Sequence, residues 1–525
     1  MNENVSKNVL YEDIPESSFE FAKREGAIRD KKLSTRPVGF FRGAWRRFAK
    51  NKSSVVGMVI IIILALFSAF APVISSYKTT DINGNYQKVL PKLSTKINLG
   101  FWNGTKKTTQ NKGTYEYYCA IGAESGRSPV VKTYREYTTT VIVANQEKTS
   151  VMYDFRLDSY YAVGYKFLEI SKDDYLALQA YQNETGIQVI YPMPKTSQQG
   201  TGDKMFDPTD ANYWYATNAK GEAKRDENGN YIPLYKTTGT DAYESLRLAG
   251  DPGIQNPEAE NRYRYGELVQ GGLYRVRVCY YDYHIYLTGK EPCYIFGATG
   301  TGQDLMVLIA SGMRFSLLLG LCVAAINFLI GGIYGAIEGY YGGAIDLVLE
   351  RISDILSGIP FMVVAILFNL HIADKTGPVL ALLFAFVLTG WIGMASTVRM
   401  QFYRYKKQEY VLAARTLGAK DRRIILKHIY PNALGTLVTS MALSIPSIVF
   451  SESMLSYLGI INLDDPASGL TSLGTILANG KSSLSTYPHL ILFPALVISL
   501  LMISFNLFGN GLRDAFNPSL RGTED

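Results

Sequence analysis

The chain is poor in the residues that usually carry chemistry. It has four cysteines and four histidines in 525 residues. So few cysteines exclude a disulfide-built scaffold. The histidines (His284, His371, His428 and His489) are scattered, and no two have the spacing of metal ligands, so no metal site is expected. The segment 474–482, GTILANGKS, resembles a phosphate-binding loop but has one residue too many between its outer glycines. No other nucleotide loop and no catalytic constellation is present, so the chain is not expected to be an enzyme. The net charge of +7 has no basic stripe with interleaved aromatics behind it, which argues against nucleic acid. The first 50 residues are polar and charged, and no cleavable signal is expected there.

What is present divides into two unlike parts, so the mean hydropathy of +0.01 is an average over both. About 25 of the 37 tyrosines lie between Tyr115 and Tyr294, whereas the long apolar runs lie outside that block. Residues 1–36 read as a cytoplasmic tail. Residues 37–53 place Phe40, Phe41, Ala44, Trp45 and Phe48 at helical spacing among arginines and lysines. That pattern suits an amphipathic interfacial helix, or a positive flank for the span that follows. Residues 54–76 form a first transmembrane helix, since about 20 apolar residues cross a ~30 Å hydrocarbon core. Five further runs, at 315–337, 355–370, 379–398, 433–455 and 490–511, carry glycines or prolines suited to close helix packing or to a kinked pore. The loop at 399–432 holds nine Lys/Arg residues, whereas 456–489 holds only Lys481. The positive-inside rule then puts both termini and the 399–432 loop in the cytoplasm of a multi-pass cell-membrane protein. Residues 512–525 form a second cytoplasmic tail.

Residues 78–292 are expected outside the membrane as a Tyr-rich α+β insertion. Alternation predicts strands at 138–144 and 273–281, the latter with Tyr274, Val276, Val278 and Tyr280 on one face and Arg275, Arg277 and Cys279 on the other. Residues 171–182 predict a helix capped by Ser171, and 226–231 a hairpin turn. Cys279 and Cys293 are spaced to pair across a hairpin, and an all-reduced set that includes Cys119 fits equally well. The tyrosines suit either docking of a binding protein or a stabilising appendage.

The loop at 409–432 reads as a helix–glycine turn–helix module. Ala413, Ala414 and Leu417 share a face and Gly418 closes the first helix. Asp421 is placed to cap a second helix, which Pro431-Asn432 ends. A small, flat face suits docking into another protein's groove, with Arg415, Lys420, Arg422 and Arg423 for acidic partners or anionic lipid. A solvated positive linker has the same composition.

Three sets of residues resemble a known family. Ala413, Ala414, Gly418 and Pro431 match the EAA loop of ABC importer permeases, with Leu412 in place of its glutamate and Tyr430 in place of a leucine. Tyr410 to Ala419 and Lys427 to Asn432 resemble the peptide branch. Phe296-Gly297, Gly302-Gln303-Asp304 and Ser311-Gly312-Met313-Arg314-Phe315-Ser316 resemble that family's lead-in to the second span (residues 293–314), with Gln303 in place of arginine. Arg46-Arg47-Phe48 to Gly57 resembles the start of its first span. The chain is thus similar, over 38–95 and 293–520, to permeases of the oligopeptide/dipeptide/nickel importers of the permease C-like type.

The resemblance implies an all-α polytopic fold of six transmembrane helices, the type I ABC importer permease fold, interrupted by the extracellular insertion. It implies half of a translocation pathway for peptides, most often oligopeptides, with dipeptide or nickel as alternatives. Expected partners are a second homologous permease, two cytoplasmic ATPase subunits, an extracellular substrate-binding protein and membrane lipid. ATP-Mg would bind those ATPases, and no cofactor this chain. The ATPase-coupling residues would be Tyr410, Ala413, Ala414, Arg415, Leu417, Gly418, Ala419, Arg423 and Pro431. A membrane receptor or sensor with an outer ligand-binding domain is the rival class, and the short inner segments weigh against it.

Overall fold

The computed structural model describes residues 40–94, 102–143, 146–195, 210–218, 222–237, 262–465 and 468–516. The expected tail over 1–36 and the end of the C-terminal tail lie outside the described residues.

Helix α1 (Phe40–Lys50) buries Ala44 and Phe48 and leaves Arg42 and Arg46 exposed, and Trp45, grouped with the apolar residues by spacing, is exposed as well. Asn51 separates it from α2 (Lys52–Ile74) and caps that helix, accepting from the Ser54 amide at 3.4 Å. The 23 residues of α2 suffice to cross a bilayer.

The insertion follows. Its first sheet is antiparallel, in the order β1 (Thr105–Asn111), β3 (Gln146–Asp158), β2 (Val130–Val143), with α3 (Lys112–Ser125) joining β1 to β2. Its second sheet holds β4 (Tyr165–Ile170), β5 (Ile190–Tyr191), β6 (Gly266–Leu268) and β7 (Tyr274–Cys279), with β7 pairing with the other three. Helix α4 (Lys172–Thr185) starts at Ser171, whose hydroxyl accepts from the Asp174 amide at 3.1 Å. At 226–231 the chain turns through Gly229, at φ +82°, and Arg225 bridges to Tyr231.

One reading of this block is corrected. The strand at 273–281 ends at Cys279, because Tyr280 opens helix α5 (Tyr280–Thr288). On its arginine face Arg275 is half-buried, and Arg277 is fully buried against Glu124 at 2.7 Å. The tyrosines are largely core: Tyr86, Tyr160, Tyr165 and Tyr294 are among the largest fully buried side chains. The block fills its interior with rings where an ordinary domain uses leucine. All four cysteines are free thiols.

Helix α6 (Leu305–Tyr341) is longer than its apolar run at 315–337, because Asp304 caps it ten residues earlier, accepting from the Met306 amide at 2.8 Å. The run at 355–370 is two helices rather than one. α7 (Gly343–Ser357) and α8 (Phe361–His371) meet at 72°. Pro360 sits in the break, lacks an N–H and disfavours helix at Ile359. α9 (Pro378–Tyr405) packs along α6, and the approach is close. Cβ atoms added at Gly331 and Gly335 would meet the Trp391 and Ala395 carbonyls at 2.6 and 2.1 Å.

After α10 (Glu409–Thr416), α11 runs unbroken from Asp421 to Tyr457. Pro431 therefore does not end a helix, contrary to expectation. The turn before it, Ile424–Ile429, is π-helical, and this wider winding accommodates the missing N–H and the ring. α12 (Leu473–Gly480) is short and carries the GTILANG stretch on a helix, not a phosphate loop. α13 (His489–Phe516) packs on α2 and α11. Among the described residues five helices are long and apolar enough to cross a membrane, and six if the bent α7–α8 pair counts as one span.

Candidate coupling site and lead-in motif

Helix α10 buries one side chain, Val411. It packs in a cluster with Phe402 and Val398 of α9, Tyr340 of α6, and Ile424, Ile429 and Ala433 of α11. With that residue inward, helical geometry turns Tyr410, Leu412 and Ala413 outward, and all three are exposed. Ala414 and Ala419 are half-buried. Leu417 stands at the apex with 88% of its surface exposed. Gly418 adopts φ +80° with open space around it, so conformation, not crowding, demands glycine there. Its reversal is closed by the Ala419 amide donating to the Ala414 carbonyl at 3.0 Å. Leu412 is exposed on the free face, so the fold does not need the family's glutamate at that position.

The module is tied to several helices. Arg415 donates to the Tyr340 hydroxyl at 3.3 Å, and Tyr340 donates to the Asp421 carboxylate at 2.5 Å. Asp421 thus serves as acceptor for Tyr340, and no side-chain cap of α11 involves it. Asn432 donates to the Tyr410 hydroxyl at 3.2 Å. Lys406 donates to the Gly339 carbonyl at 2.7 Å. Close by, Arg399 of α9 forks onto Asp346 (2.6 and 2.9 Å) and Glu350 (2.9 and 3.0 Å) of α7. Arg423 and Pro431 are exposed on the same end of the bundle. The module is thus packed on or bonded to α6, α9 and α11, and Arg399 bonds α9 to α7.

The lead-in motif lies at the other end of α6. Gly297 and Gly302 take φ +83° and +82°, and each presses on another segment. Gln303 donates to the Thr79 carbonyl at 2.6 Å, so the residue that replaces the family's arginine ties the motif to the end of α2. Asp304 accepts from the Ser75 hydroxyl at 3.0 Å. Phe296 stacks on Phe493 at 4.4 Å, and Trp102 of the insertion stacks on the same ring at 5.5 Å. Gly312 sits against the backbone at Ser472 and Leu473, where α12 begins. Arg314 is exposed. The coupling residues and the lead-in motif are thus at opposite ends of the bundle.

The sequence reading missed Glu452, which is fully buried in α11. It accepts from Ser316 of α6 at 2.9 Å and from Ser456 at 3.1 Å. A lone carboxylate within an apolar run was its available signal. Tyr340, Val411 and Arg399 had none, since their partners are remote in the chain. Among the described residues no group of three or more His, Cys, Asp or Glu is placed to hold a metal ion.

Residues 328–522 match the family model described as binding-protein-dependent transport system inner membrane component. Residues 39–91 match the N-terminal TM domain of oligopeptide transport permease C. The chain is 43% identical over 226 residues to the oligopeptide transport system permease protein OppC of Bacillus subtilis, covering 43% of this chain and 72% of the relative. It is 41% identical to the dipeptide transport system permease protein DppC of the same organism (43% and 69% covered). It is 36% identical to OppC of Escherichia coli (44% and 74% covered). Among solved structures, the MetNI methionine ABC transporter in an inward-facing conformation aligns with a TM-score of 0.33 at 18% identity, over 41% of this chain and 98% of that one.

Proposed function

This chain belongs to the oligopeptide and dipeptide permeases of binding-protein-dependent ABC importers, and we propose that residues 409–432 couple it to the ATPase that drives transport. It is a multi-pass permease subunit of a peptide importer. Importers of this family work with ATPase and substrate-binding proteins in general.

The carrying observation is the exposed apolar apex of a module that is otherwise anchored. Leu417 (88% exposed), Leu412 and Tyr410 form an exposed surface above a seam of fully buried Val411, Ile424 and Ile429. In this reading, a groove on the ATPase takes Leu417 and the small face at Ala413 and Gly418, while Arg415 and Arg423 meet acidic groups. ATP-Mg stays on that partner. Closure of two ATPases moves the module as a rigid body, and the Tyr340, Lys406 and Arg399 contacts carry the motion into the spans. A second homologous permease completes the pathway. The basic residues of α1 and of the module support an orientation with this end, and both termini, in the cytoplasm. The insertion then faces outward as a platform for the substrate-binding protein, joined to the spans at Trp102, Phe296 and Phe493. Oligopeptides are the preferred cargo.

Leu417→Asp tests the coupling. Leu417 is exposed, so the substitution leaves the fold intact. Peptide uptake by the reconstituted importer should fall about tenfold or more, the effect of losing an interface hot spot, and the ATPase should no longer co-purify. Normal uptake with Leu417→Asp, and likewise with Ala414→Arg, would sink the assignment.

A further inference from the structure

At the end of α2 that meets the insertion, the molecule opens into a cavity of about 710 Å³. That is within the roughly 300–1,000 Å³ of small-molecule sites. The cavity is two-sided. Its polar floor includes His284, which is 5% exposed and whose imidazole has no hydrogen-bond partner among the described residues. The ring is held between Tyr77 and Tyr86 by aromatic contacts at 6.3 and 5.4 Å. The same cavity is lined by Asp304, 3% exposed, which accepts from the Ser75 hydroxyl and from the Met306 and Val307 amides. An ionised carboxylate has about four acceptor sites, so Asp304 keeps capacity to spare, and no basic side chain pairs with it among the described residues. Tyr77 and Tyr294 stack at 4.5 Å along the same wall. The rim carries Lys290, whose ammonium donates to Ser76 at 3.0 Å. The remaining side is apolar and continues the membrane-facing surface of α2: Ile74 is 77% exposed and Leu287 58%.

We propose that this cavity holds the headgroup of an amino-phospholipid. Its ammonium lies among the Asp304 carboxylate, the His284 imidazole and the Tyr77–Tyr294 rings, and its phosphate lies at Lys290. The acyl chains run along Ile74 and down α2. A buried acceptor nitrogen, a carboxylate and two ring faces together suit an N–H-bearing cation. Burial holds the His284 imidazolium pKa down to about 4, so the ring is a neutral acceptor at neutral pH. Burial also raises the Asp304 pKa to about 6, a cost that a bound ammonium would offset. A free peptide shares the ammonium and the anion but has no chains to cover Ile74 and Leu287. The inference does not depend on the transport reading.

The test uses the full chain in mild detergent. The protein is equilibrated with equal amounts of phosphatidylethanolamine, phosphatidylcholine and phosphatidylglycerol, and retained lipid is counted by native mass spectrometry. Phosphatidylethanolamine should be retained preferentially. Phosphatidylcholine has the same charges but no ammonium hydrogen, and should be retained less. Lys290→Glu changes an exposed rim residue at the phosphate common to all three lipids and should cut retention of each about fivefold, the scale of one partly exposed ion pair. His284→Phe, which keeps the ring contacts, should abolish discrimination against phosphatidylcholine. Equal retention of the three lipids, or undiminished phosphatidylethanolamine retention in Lys290→Glu, would overturn the proposal. Displacement of the lipid by a free dipeptide would also overturn it, and would assign the cavity to peptide.

Discussion

The Tyr340 hydroxyl, at the end of α6, donates to the Asp421 carboxylate, at the start of α11, across 2.5 Å. This one bond joins the second span to the helix that carries the coupling module, and Arg415 donates to the same hydroxyl. Tyr340→Phe keeps the ring and removes both bonds. The expected stability loss is only about 1 kcal/mol. Peptide taken up per ATP hydrolysed should fall, because the module then moves without drawing α6 along. Paired uptake and hydrolysis measurements on the reconstituted importer check this. An unchanged ratio would show that Tyr340 does not transmit the motion.

Gly302 is crowded as well as left-handed: a Cβ there would lie 1.8 Å from the Asn83 carbonyl oxygen. Two residues away, Gly300 has only the end of Lys88 within reach, at 3.7 Å. Gly302→Ala should destabilise the chain by about 3 kcal/mol, the upper range for backbone strain. Gly300→Ala should be close to neutral. Thermal unfolding of the two variants in detergent separates them, and equal behaviour would contradict the packing of the lead-in motif on the segment after α2.

Arg277 and Glu124 form a salt bridge with both side chains almost wholly buried (0% and 1% exposed). Arg277 also donates to the Ala211 carbonyl at 2.6 Å. Arg277→Met strands a buried carboxylate and should cost about 3–5 kcal/mol. The double variant Arg277→Met/Glu124→Leu removes both charges and should recover part of that loss. Chemical denaturation of the three proteins gives the comparison. A double variant less stable than the single one would mean that the pair stabilises beyond cancelling its own burial.

His284 and Asp304 make opposing contributions to pH dependence. His284 titrates near 4 in the folded chain, below its ordinary value of 6.5. The unfolded chain binds the extra proton in that window, so this contribution is lost as pH falls from about 6.5 to 4. Asp304 titrates near 6, above 3.8. The folded chain binds the extra proton there, so its contribution is lost as pH rises from about 4 to 6. The two slopes partly cancel between pH 4 and 6. His284→Phe should leave the Asp304 slope exposed, with melting temperature falling as pH rises through that range. Asp304→Asn should reverse the sign. Melting curves from pH 4 to 7 decide it.

Much of the helical part was legible in the residues. A run of about 20 apolar residues must cross a bilayer or be buried. The run at 379–398 accordingly lies inside α9, the nine basic residues at 399–432 lie in or just before the module, and Ser171 caps α4. Legibility stopped where a partner is distant. Glycine and proline marked the interruption at 358–360 but not the 72° bend. Pro431 read as a stop and proved internal, because a π-helical turn absorbs it. Alternation placed Arg277 on one face of its strand but not in the core against Glu124, because it reports one strand and not what covers its faces.

The amino-acid order by itself determined the family, the spans, the position of the module and the presence of a tyrosine-rich block between the first two spans. These follow from local periodicity and short-range turn chemistry, which act within a few residues. Only the tertiary structure decided that the tyrosines fill a core, that Trp102 and Phe493 fuse the insertion to the last span, that Glu452 bonds across helices, and that Tyr340 joins α6 to the coupling module. Each of those depends on groups far apart in the chain, whose contact is set by how the helices and sheets pack and by no pattern within any one of them.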